Sequence, residues 1–309
     1  MVEIEFLGSA TGVGYPEFNC KKPNSRRARA NDINAPARTQ SSLCVSADGE
    51  NWVLLNASPD LRQQINDNEI LHPKTGLRHS PIKSIVLTNA DVDHVAGLLN
   101  LRESQPLNLY GTDRVLSVLK DNTIFNVLNP KFVARKTVTL DDRCELSAFD
   151  GSEIGLTITP FSVPGKVALW LEDKTAGDNF GTVDEDTIAL EIAARDGSKF
   201  FYVPACAQMT VALADRLKNA ELVFFDGTLW VDDEMIKEQV GIKTGGRMGH
   251  MSVSGKEGTL QSFASLNVKR KIFIHINTTN PILASDSMER QLVSDAGWEV
   301  AQDGMDIKL

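Results

Sequence analysis

Four polar residues whose types suit metal chemistry follow a short apolar run at residues 85–87. They are Asn89, Asp91, Asp93 and His94. The apolar run, rich in β-branched residues, predicts a strand buried on both faces, and the carboxyl ends of such strands are where open α/β sheets hold their sites. Capping of a following helix would explain one Asp. An Asp-x-Asp-His cluster favours a metal site, because His is the commonest protein metal ligand.

Two further apolar runs end in residues of the same kind. His275 closes the run 271–274, and Asp226 closes the run 223–225. Alone, His275 would be interpreted as a buried structural histidine and Asp226 as a turn residue. Together with the first cluster they predict a metal site formed by Asp93, His94 and His275, with Asp226 as an additional candidate ligand.

The chain offers few histidines as candidates for proton transfer, because it has five in total. His250 lies in a glycine-bearing loop, where it is an acid/base, a ligand or an ordinary loop residue, and Asp91 is the second candidate for proton transfer. Cys206 could replace a carboxylate ligand, although simple packing is the more economical interpretation of a lone buried cysteine. His72 and His79 are predicted to be structural or surface residues.

Composition excludes several functional classes. The chain has 309 residues, 42% of them hydrophobic, and a formal net charge of −9, which gives no long-range attraction for nucleic acid or anionic lipid. Acidic residues near the start and the lack of a membrane-spanning apolar run predict a cytoplasmic protein that does not bind membranes. The four cysteines are far apart, so we expect reduced thiols rather than a disulfide framework.

The elements that must position these residues alternate along the chain. A hairpin is predicted around the Asp48-Gly49 turn, and residues 19–37 are predicted to be an irregular loop. Apolar patterns predict helices at 95–104, 112–120, 210–220 and 286–297, and strands at 107–110, 132–140, 156–163, 167–171, 187–193, 199–203, 222–225, 271–275 and 298–301. Hairpin-rich sheets with interspersed helices and no linker predict one α/β domain over 1–309, a four-layer αββα sandwich.

The first cluster resembles the metal motif of the metallo-β-lactamase fold, which reads His-x-His-x-Asp-His after a strand. Here the pattern is Asn89-x-Asp91-x-Asp93-His94. That fold normally holds two metals, and the resemblance implies that the site of the missing histidines is degraded while the site of Asp93, His94 and His275 survives. Two histidines and one carboxylate form the facial triad of non-haem iron enzymes, so one Fe(II) per chain is expected rather than two zinc ions.

Nearly the whole chain also resembles one family, coenzyme PQQ synthesis protein B. The motif Phe225-Asp226-Gly227-Thr228 is part of the resemblance, and the other motifs lie at 7–10, 36–42, 55–60, 87–94, 97–103, 247–250 and 275–281. This resemblance implies an iron-dependent hydroxylase in the biosynthesis of pyrroloquinoline quinone (PQQ). The implied reaction uses O₂ to oxidise the tyrosine of a Glu-Tyr dipeptide excised from a precursor peptide.

The implied chemistry suggests roles for individual residues. His250 or Asp91 would transfer protons at the phenol. Cationic groups would bind the carboxylates of the dipeptide, although a surface ion pair is the ordinary explanation for any one arginine. The candidates for substrate contact are Arg38, Lys243, Arg247, Asn277 and Asn280.

The chain departs from the family near its N-terminus, and two other functions stay open. The family typically has Cys-x-Cys-x-x-Cys there, and only Cys20 remains here, so a structural zinc is not expected. A hydrolase using a metal-bound hydroxide would need two metals or one zinc. A carrier that holds PQQ for transport would need no turnover. Other PQQ-pathway proteins and a second copy of the chain are compatible partners.

Overall fold

The structure, a computed structural model, describes residues 1–177 and 179–309. Two sheets of seven strands each form the centre of this described part. The strands are β1 Glu3–Gly8, β2 Ser42–Ser46, β3 Trp52–Leu55, β4 Ile82–Val86, β5 Leu107–Gly111, β6 Val133–Thr137, β7 Cys144–Ser147, β8 Glu153–Ser162, β9 Ile188–Ala194, β10 Lys199–Val203, β11 Leu222–Asp226, β12 Arg270–Ile274, β13 Trp298–Val300 and β14 Asp306–Lys308.

Short helices connect and flank these strands. The α-helices are α1 Pro23–Arg29, α2 Leu61–Asp67, α3 Val92–Val95, α4 Asp113–Asp121, α5 Val211–Leu217, α6 Glu234–Lys237, α7 Gly245–Met248, α8 Thr259–Ser262 and α9 Met288–Asp295. The 3₁₀ helices are Glu69–Leu71, Ala96–Leu101, Thr123–Val127, Leu169–Leu171 and Pro281–Leu283. In the described part of the chain, no helix is both long and apolar enough to cross a membrane.

Each sheet has an antiparallel part and a parallel part. The first sheet has the order β14-β1-β2-β3-β4-β5-β6, and the second has the order β13-β12-β11-β10-β9-β8-β7. Strands β3 to β6 run parallel in the first sheet, and β10 to β13 run parallel in the second. The loops after β4, β11 and β12 therefore leave the carboxyl ends of parallel strands, where α/β sites are usually found.

Apolar side chains hold the layers together. The two sheets share one core between their inner faces, to which Phe6 and Val45 contribute from the first sheet and Phe224 and Ile272 from the second. Separate apolar clusters lie on the outer face of each sheet, where the helices pack. This arrangement confirms the predicted four-layer αββα sandwich, in which helices bury their apolar sides on a sheet.

The predicted loop at 19–37 was wrong in part, because it contains helix α1. This helix begins at Pro23, whose ring suits the first helical position. Of its residues, Ser25 and Ala28 are buried. The helix has no apolar stripe long enough to be recognised from the sequence.

Two other predicted elements differ in kind. The predicted strand 167–171 is the 3₁₀ helix Leu169–Leu171, because a short apolar run does not distinguish the two structures. The predicted helix 95–104 is α3 followed by the 3₁₀ helix Ala96–Leu101. The chain after β4 is therefore wound more tightly than a single α-helix.

Candidate metal centre and its cavity

His94 presents an unused nitrogen near the carboxyl end of β4. Its Nδ1–H donates to Asn89 Oδ1 over 2.7 Å, which leaves Nε2 as the unprotonated nitrogen. That Nε2 is buried and has no hydrogen-bond partner among the described residues. Burial lowers the pKa of His94 to about 4, so the ring is neutral near pH 7. A neutral, buried and unpartnered imidazole nitrogen is suited to a metal.

Asp93 and His275 meet beside this nitrogen. Asp93 Oδ2 and His275 Nε2 are 3.1 Å apart, and the rings of His94 and His275 have centroids 5.2 Å apart. Burial raises the pKa of Asp93, but the neighbouring His94 and His275 outweigh it and hold that pKa well below its usual range. For His275, burial lowers the pKa, but the hydrogen bond and charge of Asp93 outweigh it and raise the pKa.

The backbone of His275 has an unusual conformation. Its φ is +55°, in the left-handed region that residues other than glycine seldom adopt. His275 follows β12 directly, so this conformation turns the chain at the end of the strand. Residues held in sparsely populated conformations cluster at functional sites.

Asp226, predicted as a candidate ligand, accepts four hydrogen bonds. Its Oδ1 accepts from the backbone N–H of Thr228 at 3.0 Å and from the Thr228 hydroxyl at 2.6 Å. Its Oδ2 accepts from Cys206 N–H at 3.0 Å and from His250 Nδ1–H at 2.6 Å. These four donors match the acceptor capacity of a carboxylate, and one of them orients the ring of His250. The role of Asp226 as a metal ligand stays a prediction.

Thr228 links the histidines to Asp226. Its hydroxyl oxygen lies 2.9 Å from His275 Nδ1 and 3.2 Å from His250 Nδ1, while its proton is directed to Asp226. With His275 Nε2 on a metal, His275 Nδ1–H would donate to Thr228. Metal-binding histidines usually donate their other N–H in this way, which fixes the tautomer and the orientation of the ring.

Two groups of potential ligands have donor atoms that all lie within 4.8 Å of one another. One is Asp93, His94 and His275, and the other is Asp226, His250 and His275. The first group fits a metal better, because it combines an ionised carboxylate with the unpartnered Nε2 of His94. These three residues can hold a metal with open coordination positions.

A cavity of about 370 Å³ opens onto this group. His250 and His275 have stacked rings, with centroids 5.1 Å apart, at its wall. The predicted substrate residues Lys243 and Asn277 also line it. The other lining residues are Thr11, Gly12, Asn89, Asp91, Asp93, His94, Lys166, Leu169, Thr187, Ala205, Thr228, Met235, Met248 and Gly249.

Asp91, predicted as an acid/base, lies on the cavity wall but is held by other groups. It is the N-cap residue of α3, yet its side chain makes no capping hydrogen bond. Oδ1 accepts from Leu169 N–H at 3.1 Å, and Oδ2 lies 3.3 Å from Lys166 Nζ. Asp91 therefore connects the segment 166–169 to the cluster after β4.

Three of the five predicted substrate residues do not line the cavity, and two of them, Arg38 and Asn280, bond to the backbone elsewhere. The buried Arg38 guanidinium donates to the Ala301 carbonyl, and burial lowers the pKa of Arg38 to about 10. Asn280 caps the 3₁₀ helix Pro281–Leu283 and donates to a backbone carbonyl. Both side chains therefore make hydrogen bonds within the protein, and their contact with a substrate stays a prediction.

Arg247 is a third predicted substrate residue whose donors are used within the protein. It donates to both carboxylate oxygens of Glu172, at 3.1 and 2.7 Å, and its Cζ lies 3.6 Å from the centre of the Phe180 ring. This bidentate pair uses the fork of donors that would otherwise bind a substrate carboxylate. A sequence shows the type of such a residue, but not whether its donors are already occupied.

Lys166 was not among the predicted site residues. It follows Pro164-Gly165, which is only a weak turn signal, and it lies 75 positions from Asp91 in the chain. No local pattern connects the two residues. Their contact depends on the fold.

Thr228 was also absent from the predicted site residues, although the sequence shows that it lies close to Asp226. It stands in the motif 225–228, two positions after Asp226. Its contact with His275 depends instead on the parallel pairing of β11 with β12. Knowledge of which strands are neighbours would have identified it.

Cys206, considered as a replacement ligand, packs in the core. The side chain is fully buried, and its Sγ–H donates to the Gln208 carbonyl at 3.2 Å. Burial raises the pKa of the thiol to about 12. These contacts agree with the simple packing interpretation, because a thiolate is the form that binds metals.

Comparison with known proteins agrees with this fold. Residues 51–276 match the model of a β-lactamase superfamily domain, so the fold is that of the metallo-β-lactamases. The chain is 53% identical to coenzyme PQQ synthesis protein B of Xanthomonas oryzae pv. oryzae, with all of both chains covered. The corresponding protein of Gluconacetobacter diazotrophicus is 51% identical, with 99% of each covered. The chain belongs to the coenzyme PQQ synthesis protein B family.

A solved structure of the same family extends the comparison. It is Zn²⁺-bound PqqB from Methylobacterium extorquens, 47% identical, with a TM-score of 0.93 and coverage of 99% of this chain and 100% of that one. Zinc in this relative is weakly at odds with the two expectations made here, one Fe(II) per chain and no structural zinc. The lack of a structural zinc at Cys20 stays a prediction for this chain.

Proposed function

We propose that this chain is an Fe(II)- and O₂-dependent hydroxylase that acts on the tyrosine of a Glu-Tyr dipeptide in PQQ biosynthesis. The observation that carries the proposal is the buried, unpartnered Nε2 of His94 beside Asp93 and His275 in the described part of the chain. Two histidines and one carboxylate are the donor set of non-haem iron oxygenases. Iron bound there would supply the O₂-dependent oxidation of the ring.

Proton transfer at the phenol is assigned to His250. Its Nδ1–H is fixed by Asp226 at 2.6 Å, so Nε2 is the nitrogen left to accept a proton from a substrate. The side chain is 13% exposed and lines the cavity, which gives a substrate access to it. A candidate general base needs this access first. Asp91, the other candidate, is held by Lys166 and by the backbone of Leu169.

The volume and the polar lining of the cavity also suit a dipeptide. Its volume of about 370 Å³ lies within the range of about 300–1,000 Å³ that small-ligand sites usually have. Lys243 and Asn277 on its wall offer donors for the carboxylate and amide groups of a peptide. The cavity therefore offers a dipeptide enough volume and polar hydrogen-bond partners next to the three candidate metal ligands.

The test is metal analysis and turnover of protein purified without oxygen. The expected result is about one iron per chain and hydroxylated Glu-Tyr on addition of O₂ and a reductant such as ascorbate. His275→Ala should lose both the iron and the product. His72→Ala is the matched control, because His72 contacts the Asn66 carbonyl outside the cavity and should retain both.

A zinc-dependent hydrolase is the second candidate, and the zinc in the M. extorquens relative favours it. It predicts tightly bound zinc, no iron-dependent product and hydrolytic activity that His275→Ala removes. A carrier predicts binding of PQQ or its precursor without consumption. Iron that is bound without any O₂-dependent change in Glu-Tyr would overturn the hydroxylase.

A further inference from the structure

Lys166 holds a fixed place on the cavity wall. Its carbonyl accepts from the Thr187 hydroxyl at 2.9 Å. Its aliphatic stem passes beside Gly249, where an added Cβ would come 3.1 Å from Lys166 Cγ. Gly249 also has a φ of +87°, which favours glycine. The backbone on both sides of the cavity thus determines where this side chain lies.

The ammonium group of Lys166 has two long contacts with oxygen atoms of the protein and has donors left for another acceptor. Nζ lies 3.3 Å from Asp91 Oδ2 and 3.3 Å from the Val167 carbonyl. Charge-assisted N–H···O hydrogen bonds are usually about 2.7–2.9 Å long, and an ammonium has three donors. The side chain is 18% exposed. It can therefore form a shorter hydrogen bond with an anionic group in the cavity.

A second lysine, Lys243, lies on the same wall as Lys166. Glu172 has a pKa below its usual range, first because Arg247 donates to it and also because Lys243 and Lys166 lie near it, while burial opposes them. Of the residues that line the cavity, Lys166 and Lys243 are the lysines and Asp91 and Asp93 are the carboxylates, and Asp93 is hydrogen-bonded to His275. An anionic group in the cavity therefore meets two ammonium groups on the wall, although the net charge of the chain is −9.

We infer that Lys166 binds a carboxylate of the substrate and that Asp91 is a positioning residue that holds the ammonium in place. The ligand class is a peptide with a free carboxylate. The inference rests on the proposed function, since that function supplies a substrate with a side-chain and a C-terminal carboxylate. It adds a contact that the sequence did not indicate, and it gives Asp91 a role other than proton transfer.

The test compares three peptides by calorimetry on the metal-loaded protein without O₂. The peptides are Glu-Tyr, Gln-Tyr, which lacks the side-chain carboxylate, and Glu-Tyr amide, which lacks the C-terminal one. The wild type should bind Glu-Tyr about tenfold more tightly than the analogue that lacks the contacted carboxylate. The variant Lys166→Met keeps the aliphatic stem but lacks the ammonium. Its affinity for Glu-Tyr should fall about tenfold, and the difference in affinity between those two peptides should disappear.

The control is Lys269→Met, which removes an exposed lysine that pairs with Glu221 on the surface and should change no affinity. Unchanged affinity and discrimination in Lys166→Met would overturn the inference alone, and equal weakening of all three peptides would assign Lys166 a structural role. Failure of the wild type to bind any of the peptides would overturn the proposed function, and this inference with it.

A separate kinetic experiment tests the positioning role of Asp91. Asp91→Asn should raise the KM for Glu-Tyr, because the ammonium loses its charged partner, and leave the pH profile of kcat unchanged. A displaced pH profile would return Asp91 to proton transfer and contradict the positioning role.

Discussion

Replacing Thr228 by valine should weaken metal binding without unfolding the protein. Valine keeps the shape of threonine but lacks the hydroxyl that lies 2.9 Å from His275 Nδ1. That hydroxyl is the hydrogen-bond partner that the described residues give to His275 Nδ1, so the variant leaves this buried nitrogen unpaired. The tautomer and the orientation of the His275 ring are then less strongly fixed.

The structure limits the size of the effect. Asp226 loses one of four donors in Thr228→Val but keeps the bonds from the backbone of residue 228, from Cys206 and from His250. The missing hydroxyl therefore affects His275 more than Asp226. Loss of an outer hydrogen bond to a metal ligand typically weakens binding about 10–100-fold, equivalent to about 1.4–2.8 kcal/mol. The buried unpaired group should lower the folding stability of the apoprotein by about 1–3 kcal/mol.

The assay is competition for metal with a chromophoric chelator, carried out for Fe(II) without oxygen and for Zn²⁺, together with thermal unfolding of each apoprotein. Thr228→Ser keeps a hydroxyl and is the matched control, so its affinity should stay close to that of the wild type. An affinity of Thr228→Val within about twofold of the wild type would refute the role of the hydroxyl. Equal weakening by serine and valine would assign the loss to packing instead.

Three further predictions use other parts of the site and the fold. Asn89→Ala should weaken metal binding about 10–100-fold in the same competition assay, because His94 Nδ1–H loses its acceptor. Native Cys206 should react with iodoacetamide far more slowly than the partly exposed Cys144 up to about pH 8, and at the full rate after denaturation, because burial raises the Cys206 pKa to about 12 and keeps the thiol protonated. Gly97→Ala should lower the free energy of unfolding, measured by chemical denaturation, by about 3 kcal/mol, since its Cβ would collide with backbone carbonyl oxygens. A loss below about 1 kcal/mol would mean that the backbone there relaxes freely.

Local patterns were sufficient for the elements with strong apolar runs and for the ligand types at strand ends. Strands β4, β11 and β12 are such runs, and the polar residues near their ends are visible without a structure. Parallel strands bring such residues to one edge of a sheet. The set of Asp93, His94 and His275 could therefore be proposed before the fold was known.

Local patterns failed where the competing structures have similar sequences. Helix α1 lies in a polar segment with no clear apolar face, and Arg29 at its end donates to the carbonyls of Glu17 and Cys20. The segment Leu169–Leu171 is apolar enough for a strand, but Leu169 N–H bonds to Asp91 rather than to a neighbouring strand. Tertiary contacts decided both outcomes.

The sequence by itself determined which residues are available for chemistry and which kind of sheet carries them, because composition and apolar spacing are local properties. Only the tertiary structure decided how the donors are distributed. It left His94 Nε2 without a partner among the described residues and gave Asp226 four donors. It also brought Lys166 to Asp91 from a distant segment. Hydrogen-bond capacity is filled by neighbours in space, and a sequence does not specify those neighbours until the chain has folded.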